Sequence, residues 1–286
     1  MKIASEKPQQ QPGLTEHMRV KPIHMYKDYS SANKLKDKVA IITGGDSGIG
    51  KAVALHYVKE GAKVGFTYHK REEKDAEETL NELYKLTDNK ANIIAFEVDV
   101  RDIQQCKSFI SKVYKHFGKI NILVNNAAVQ FPKNDFKEIS DNQLKTTFET
   151  NFYHCFYTTK AALEYMQKGD CIINTASVTS YKGKPDLIDY SSTKGAIVAF
   201  TRSLAKNIID KGIRVNAVAP GPVWTPLIPS SFEKEKVEDF GKACLLGEPA
   251  HPADIAPAYV FLANEIESKY FIGQVLHPNG GEIVNG

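Results

Sequence analysis

The sequence predicts an α/β fold: a single domain holding a doubly wound, seven-stranded parallel sheet with helices on both faces. Three observations carry the prediction. From Lys38 onward short apolar runs alternate with longer amphipathic ones, the rhythm of repeated βαβ units. The first apolar run leads directly into a glycine cluster, Thr43-Gly44-Gly45-Asp46-Ser47-Gly48-Ile49-Gly50, which reads as a strand-to-helix turn. A chain of 286 residues with 42% hydrophobic content also fills one large core, and an α/β domain of that size commonly stays undivided.

The strands follow in order as VAIIT, KVGFTY, NIIAFEV, INILVNN, DCIINTAS, IRVNAVAP and QVLHP. Most are nearly continuous apolar runs, as expected of strands covered on both faces. Between them lie a helix ending near Gly61, a charged helix, and two long stretches at 141–168 and 190–211 that carry many apolar residues. There is no internal repeat. Residues 1–36 are rich in Pro, Gln, Lys and Ser, lack periodicity and carry scattered anchors such as Met18, Met25 and Tyr29. They read as an extension that either wraps a neighbouring subunit or stays disordered, with the domain at 37–286. Residues 222–249 break the rhythm with Pro, Trp and charges, the composition of a mobile flap over a site.

Composition excludes several classes. The 37 basic and 34 acidic residues sum to +3, and the lysines form no stripe, so nothing calls for nucleic acid. Cys106, Cys155, Cys171 and Cys244 make no CxxC pair and stand near no histidine cluster; no metal site is expected, and the cysteines read as thiols of a reducing compartment. The start lacks an apolar targeting core, and no later stretch approaches the ~18 apolar residues of a membrane span. A soluble, cytoplasmic protein is expected.

A bare glycine cluster reads equally as a flexible turn, but placed after a first strand and before a helix it reads as the phosphate end of a nucleotide site. Gly44 permits a tight turn, Gly48 lets a pyrophosphate approach the backbone, and Gly50 lets the helix pack against the strand, while free N–H groups at the helix start attract the anion. Asp46 and Ser47 also fit an ordinary helix N-cap. At the end of the third strand, Asp99, followed by Val100, can accept from an adenine amino group or cap a turn. The fourth strand ends in Asn125-Asn126-Ala127-Ala128, small and polar where a strand edge meets a flat ligand. An acid at the end of the second strand would grip the ribose hydroxyls of NAD, but this chain reads Thr67-Tyr68-His69-Lys70-Arg71. That basic run welcomes the 2′-phosphate of NADP while Asp46 opposes it, so the choice between NAD and NADP stays open, leaning to NADP.

The reacting end lies further on. Ser177 closes the fifth strand, and Tyr190-Ser191-Ser192-Thr193-Lys194 follows thirteen residues later. One helical turn separates Tyr190 from Lys194, so both face the same way, and a nearby ammonium lowers a phenol's pKa toward the range of a general base. A packed tyrosine with a solvated lysine neighbour explains the pair equally well in isolation. The weight comes from order: glycine turn, Asn-Asn-Ala, strand-end serine, then the pair. Asn151, among apolar neighbours, either bridges two helices or holds a water that relays the tyrosine's proton. Gln130, Tyr181, Pro185 and Trp224 are the candidates for substrate choice.

In these motifs the chain resembles the short-chain dehydrogenase/reductase family from about Lys36 to the C-terminus, carrying TGGDSGIG, NNAA, Asn151, Ser177, YSSTK and PGPVWT in the family's order. TGGDSGIG and the tail containing QPG resemble the subgroup named after glucose and ribitol dehydrogenases and bacterial general stress proteins. The resemblance implies a Rossmann fold and a catalytic tetrad of Asn151, Ser177, Tyr190 and Lys194, with Lys194 also bonding the nicotinamide ribose. It implies that Pro220, Gly221 and Val223 line the nicotinamide, that Thr225 contacts its amide or a phosphate, and that the protein is a homotetramer acting on a small alcohol or carbonyl compound. Ala128 and Asn279 stand where the family often has glycine and aspartate. A binder that keeps the pocket without chemistry is the rival reading; an isomerase or dehydratase would need a larger substrate domain than this length provides.

Overall fold

The computed structural model describes residues 7–284. Seven strands form one parallel sheet: β1 (Val39–Ile42), β2 (Lys63–Tyr68), β3 (Ile93–Glu97), β4 (Ile122–Asn125), β5 (Cys171–Thr175), β6 (Arg214–Val218) and β7 (Val275–Leu276), in the order β3-β2-β1-β4-β5-β6-β7. The order reverses at β1, so a crevice opens between β1 and β4 at the carboxyl ends of the strands, where ligands of open α/β sheets bind. Register is set by apolar pairs such as Ile41 opposite Gly65 and Leu123.

Alternation along β1 divides the interior. Ala40 and Ile42 face one buried cluster with Tyr57 and Tyr259, while Val39 and Ile41 face a second with Phe109, Ile110 and Ile172. Successive strand side chains point to opposite faces, so a strand buried on both sides has no polar alternation to show. The covering helices are α1 (Gly48–Lys59), α2 (Glu73–Tyr84), α3 (Ile103–Phe117), α4 (Asp141–Phe148), α5 (His154–Ala162), α6 (Thr179–Lys182), α7 (Ile188–Ile208), α8 (Lys234–Glu238), α9 (Pro252–Ala263) and α10 (Glu265–Ser268).

Two features differ from the sequence expectation. The stretch 141–168 is not one helix: a π-helical turn, Glu149–Tyr153, separates α4 from α5 and contains Asn151. Such turns are frequent at functional sites. The segment before residue 37 is neither detached nor structureless where it is described. Met18 is 2% exposed and Leu35 fully buried, the Trp224 indole N–H donates to the Val20 carbonyl at 2.8 Å, and the Glu60 carboxylate accepts from the Tyr29 hydroxyl and the backbone of Ala32 and Lys34. These anchors are single residues meeting partners far away in sequence, so no periodicity announces them.

Candidate active site

A cleft of about 1480 Å³ runs along the carboxyl edge of the sheet. Its floor begins at the glycine turn, where Gly44, Asp46, Ser47, Gly48 and Ile49 line it. Gly44 and Gly48 sit at φ +63° and +52°. Gly50 faces inward instead: a Cβ there would lie 1.9 Å from the Gly44 carbonyl, so only glycine lets α1 start this close to β1. Ser47 makes no side-chain cap, which leaves the first N–H groups of α1 free for an anion. The turn therefore fits a dinucleotide's pyrophosphate.

Tyr68, His69, Asp99 and Val100 also line the cleft, at the ends of β2 and β3. Asp99 is engaged by Arg101, whose Nη2 lies 2.6 Å from its Oδ2, and this hydrogen bond holds its carboxyl below the usual carboxylate range. Asp46, 2% exposed, lies beside Glu72 and Asp75; burial and the neighbouring negative charges push Asp46 and Glu72 both well up. The pair holds a proton to higher pH than free carboxylates, which weakens the repulsion of a phosphate that Asp46 was expected to exert. Arg71, exposed in the same wall, supplies the cation.

Ala127 lines the cleft as expected, and Asn125 does not. The Asn125 amide is buried between strands, donating to Thr159 and Asn174 and accepting from Thr158 at 2.6 Å. Its neighbour Asn126 lines the cleft and donates to the Thr43 and Gly44 carbonyls, because side chains alternate at the strand end and the run Asn125-Asn126 gave no sign which would face the ligand. Beneath the turn, Thr43 Oγ1 accepts from the N–H groups of Asn126 and Ala127 at 2.9 and 3.1 Å. Its own proton then points to His154 Nε2 at 3.2 Å, so the ring is neutral and donates Nδ1–H to the Thr150 carbonyl. Burial pushes His154 down to about 3, in keeping with that tautomer.

At the other end of the cleft stand Ser177, Tyr190 and Lys194, with Pro220, Gly221, Val223 and Thr225 along the wall that follows β6. Ser177 Oγ accepts from Thr179 N–H and Oγ1 at 3.2 and 3.1 Å, so its one proton is directed at the Tyr190 hydroxyl. Lys194 Nζ donates to the Thr175 carbonyl at 2.7 Å and lies 5.6 Å from the centre of the Tyr190 ring. Burial lowers the Lys194 amine to about 8. The phenol departs from expectation: burial of its hydroxyl raises Tyr190 to about 12, and its hydrogen bond to Ser177 is what pulls downward. Lys194 directs its ammonium at a carbonyl rather than the phenol, so the expected lowering by the amine is not seen.

Asn151 does not line the cleft. Its Oδ1 accepts from Val129 N–H at 2.8 Å, and its amide protons go to the Val129 carbonyl and Thr193 at 2.9 and 3.2 Å. The side chain bridges the loop after β4 to α7. Asp189, which the sequence reading passed over, holds the neighbouring joint: it accepts from Tyr190 N–H, Thr147 Oγ1 and Gln143 Nε2. Of the substrate candidates, Gln130 lines the cleft, while Tyr181, Pro185 and Trp224 do not. Trp224 is fully buried against Met18 and Phe232. Residues 222–249 do border the cleft, through Leu227, Phe232 and Phe240 among others. Among the described residues no cluster suits a metal ion, and no helix is long and apolar enough to cross a membrane.

Residues 44–282 match the family model described as enoyl-(acyl carrier protein) reductase. The chain is 50% identical to NADPH-dependent aldehyde reductase 1, chloroplastic, of Arabidopsis thaliana, over 99% of this chain and 100% of that one. It is 50% identical to glucose and ribitol dehydrogenase of Daucus carota, over 98% and 97%, and 48% identical to general stress protein 39 of Bacillus subtilis, over 96% and 94%. A short-chain dehydrogenase from Burkholderia cenocepacia, solved in complex with NADP, superposes with a TM-score of 0.80 at 25% identity, covering 87% of this chain and 98% of that one. A glycine turn, a strand-end serine and a Tyr-Lys pair on one cleft, with these likenesses, place the chain in the short-chain dehydrogenase/reductase family as an NAD(P)-dependent oxidoreductase.

Proposed function

We propose that the protein interconverts a small carbonyl compound (aldehyde, ketone or sugar) and its alcohol, with Tyr190 as the proton-transferring group and NADP(H) as the favoured cofactor. The observation that carries this reading is the convergence of Ser177, Tyr190 and Lys194 at one end of a cleft whose other end is a phosphate-ready helix start. The cofactor held along this cleft would supply the hydride, or accept it in the reverse direction. Ser177 turns the proton it directs at Tyr190 toward a bound substrate oxygen and polarises the carbonyl. Tyr190, a phenol held protonated by burial, gives its proton to that oxygen as charge develops. Lys194, charged below about pH 8 and held on the Thr175 carbonyl, offers its remaining N–H groups to a ribose. Asn151 and Asp189 position the helix that carries the pair. Arg71 and the upward-shifted carboxyls of Asp46 and Glu72 support the lean toward NADP(H), as does the name of the Arabidopsis relative.

The test is a screen of aldehydes, ketones, sugars and polyols with both cofactors, followed by absorbance of the reduced nicotinamide. Activity with NADPH exceeding that with NADH is expected. Tyr190→Phe should lower kcat by about a hundredfold or more while cofactor still binds; full turnover in that variant defeats the assignment. We further propose that the protein works in a reducing compartment, the cytoplasm, and assembles as a homotetramer.

A further inference from the structure

We propose that residues 9–15 form a strap over the bound dinucleotide, that Asp75 is the positioning residue that seats it, and that the strap slows the cofactor's departure. The inference goes beyond the carbonyl chemistry proposed above and needs only the dinucleotide site, whichever substrate is reduced there.

Gln11, Pro12 and Gly13 line the cleft, and their segment is tied to three of its walls. Arg71 Nη1, after β2, donates to the Gln11 carbonyl at 3.4 Å. The Gln11 side-chain amide donates to the Gln130 carbonyl, after β4, and to Ser231 Oγ at 3.2 Å. After β6, the Pro229 carbonyl accepts from Gln9 N–H at 3.0 Å, and a Cβ on Gly13 would lie 2.3 Å from the Pro226 carbonyl. In the strand order β2 and β6 lie on opposite sides of the crevice between β1 and β4, so a segment fastened to the loops of both crosses over it. It crosses at the glycine turn, because a Cβ on Gly48 would meet Thr225, the neighbour of Pro226, at 3.2 Å.

The glycine turn and the strap share one support. Asp75 and Thr79 stand one turn apart on α2, so they face the same way, and both are buried. Thr79 Oγ1 donates to the Asp46 carbonyl in the glycine turn at 2.6 Å. The Asp75 carboxylate accepts from the Thr15 N–H at 3.0 Å and from its hydroxyl at 3.2 Å, and hydrogen bonds to a charged group are the stronger kind. One face of α2 thus sets the spacing between the strap and the turn that fits the pyrophosphate. The chain is pinned again a few residues later, where Met18 packs with Trp224 and the Val20 carbonyl accepts from the indole. Residues 9–12, by contrast, are exposed or half-buried and hold on by hydrogen bonds rather than apolar packing, the profile of a segment that opens locally without unfolding the domain.

The experiment loads the full-length protein with whichever of NADPH and NADH binds more tightly and follows its release by stopped-flow nicotinamide fluorescence during a chase with excess oxidised cofactor. Gly13→Val, whose side chain has no room against Pro226, should raise the dissociation rate and the Kd about tenfold, as should Asp75→Leu. Asp75→Asn, whose amide oxygen still accepts from Thr15 N–H, should recover most of the native rate. Both substitutions at Asp75 remove the charge beside Asp46, so the difference between them reads the tie to Thr15. The KM for cofactor should rise in the loosened variants, while kcat at saturating cofactor does not fall. Hydrogen exchange in the native protein carries the test should the variants fail to fold: saturating cofactor should slow exchange across residues 9–15 about tenfold, since whatever the strap does for the cofactor the cofactor does for the strap. Exchange there that ignores the cofactor, or release within about twofold of the native rate in folded Gly13→Val and Asp75→Leu, overturns the proposal. Equal rates in Asp75→Asn and Asp75→Leu overturn the role given to Asp75.

Discussion

Lys194 shows how one residue's burial sets both chemistry and stability. Its amine is 2% exposed, and desolvation lowers it to about 8, below the ~10.4 of a free lysine. In the unfolded chain the amine keeps its proton to higher pH, so between about 8 and 10.4 the unfolded state binds more protons and stability rises with pH. Below about 8 both states hold the proton, and the burial penalty is present in full. We expect Lys194→Met to remove this dependence: the native protein's melting temperature should climb relative to the variant's as pH goes from 8 to 10 and run parallel to it from 6 to 7.5. A constant difference across the whole range would show the amine to be no more deprotonated in the fold than in the free chain. The same position explains why the pair is worth little as a motif. Tyr190 and Lys194 are one turn apart in any helix, and only the carbonyl of Thr175 and the hydroxyl of Ser177, brought from β5, make a site of them.

At the scale of elements, the joint between α4 and α5 does for the cofactor end what β5 does for the reacting end. The π-helical turn exposes the Thr150 carbonyl to His154 Nδ1, and the far side of the ring holds Thr43 at the foot of the glycine turn. Two segments more than a hundred residues apart in sequence are thereby joined by one neutral imidazole. His154→Leu keeps the volume and removes both hydrogen bonds, leaving the buried Thr43 hydroxyl without an acceptor at a cost of about 1–3 kcal/mol. We expect the KM for cofactor to rise about tenfold with a smaller change in kcat, and His154→Gln, whose carbonyl can accept from Thr43, to recover most of it. Equal loss in both variants would reduce His154 to a packing residue. None of this was legible beforehand. A histidine in an apolar stretch carries no mark of its tautomer, and helical periodicity does not foretell a π turn. The seven strands were legible because a strand buried on both faces shows as an unbroken apolar run, and the glycine turn because Gly50 tolerates no side chain against Gly44. Asn125 and Asn126 were not separable, since their roles depend on which face of β4 meets the cleft.

The whole molecule leaves apolar surface that its own fold does not cover. Tyr153 is 41% and Phe156 52% exposed, and Phe156 stacks at a tilt on Phe200 of α7 with ring centres 5.2 Å apart, while Phe152 meets the same ring edge-on. An exposed aromatic cluster of this kind is a face that a second copy, related by a twofold axis, would cover. A second surface lies at the β7 edge of the sheet, where β7 ends the strand order with one side unpaired and Ile266 and Tyr270 of the adjoining segment are 91% and 98% exposed. An unpaired edge is hazardous unless covered. Were each surface to meet its own copy about a twofold axis, the two contacts together would close into the proposed tetramer rather than an open chain. Light scattering after gel filtration should therefore give the mass of four 31.8 kDa chains, and Phe156→Glu, which places a charge in the aromatic cluster but leaves the β7 edge intact, should give dimers. A native monomer at micromolar concentration, or a variant that remains four chains, would show that these faces serve something other than self-assembly.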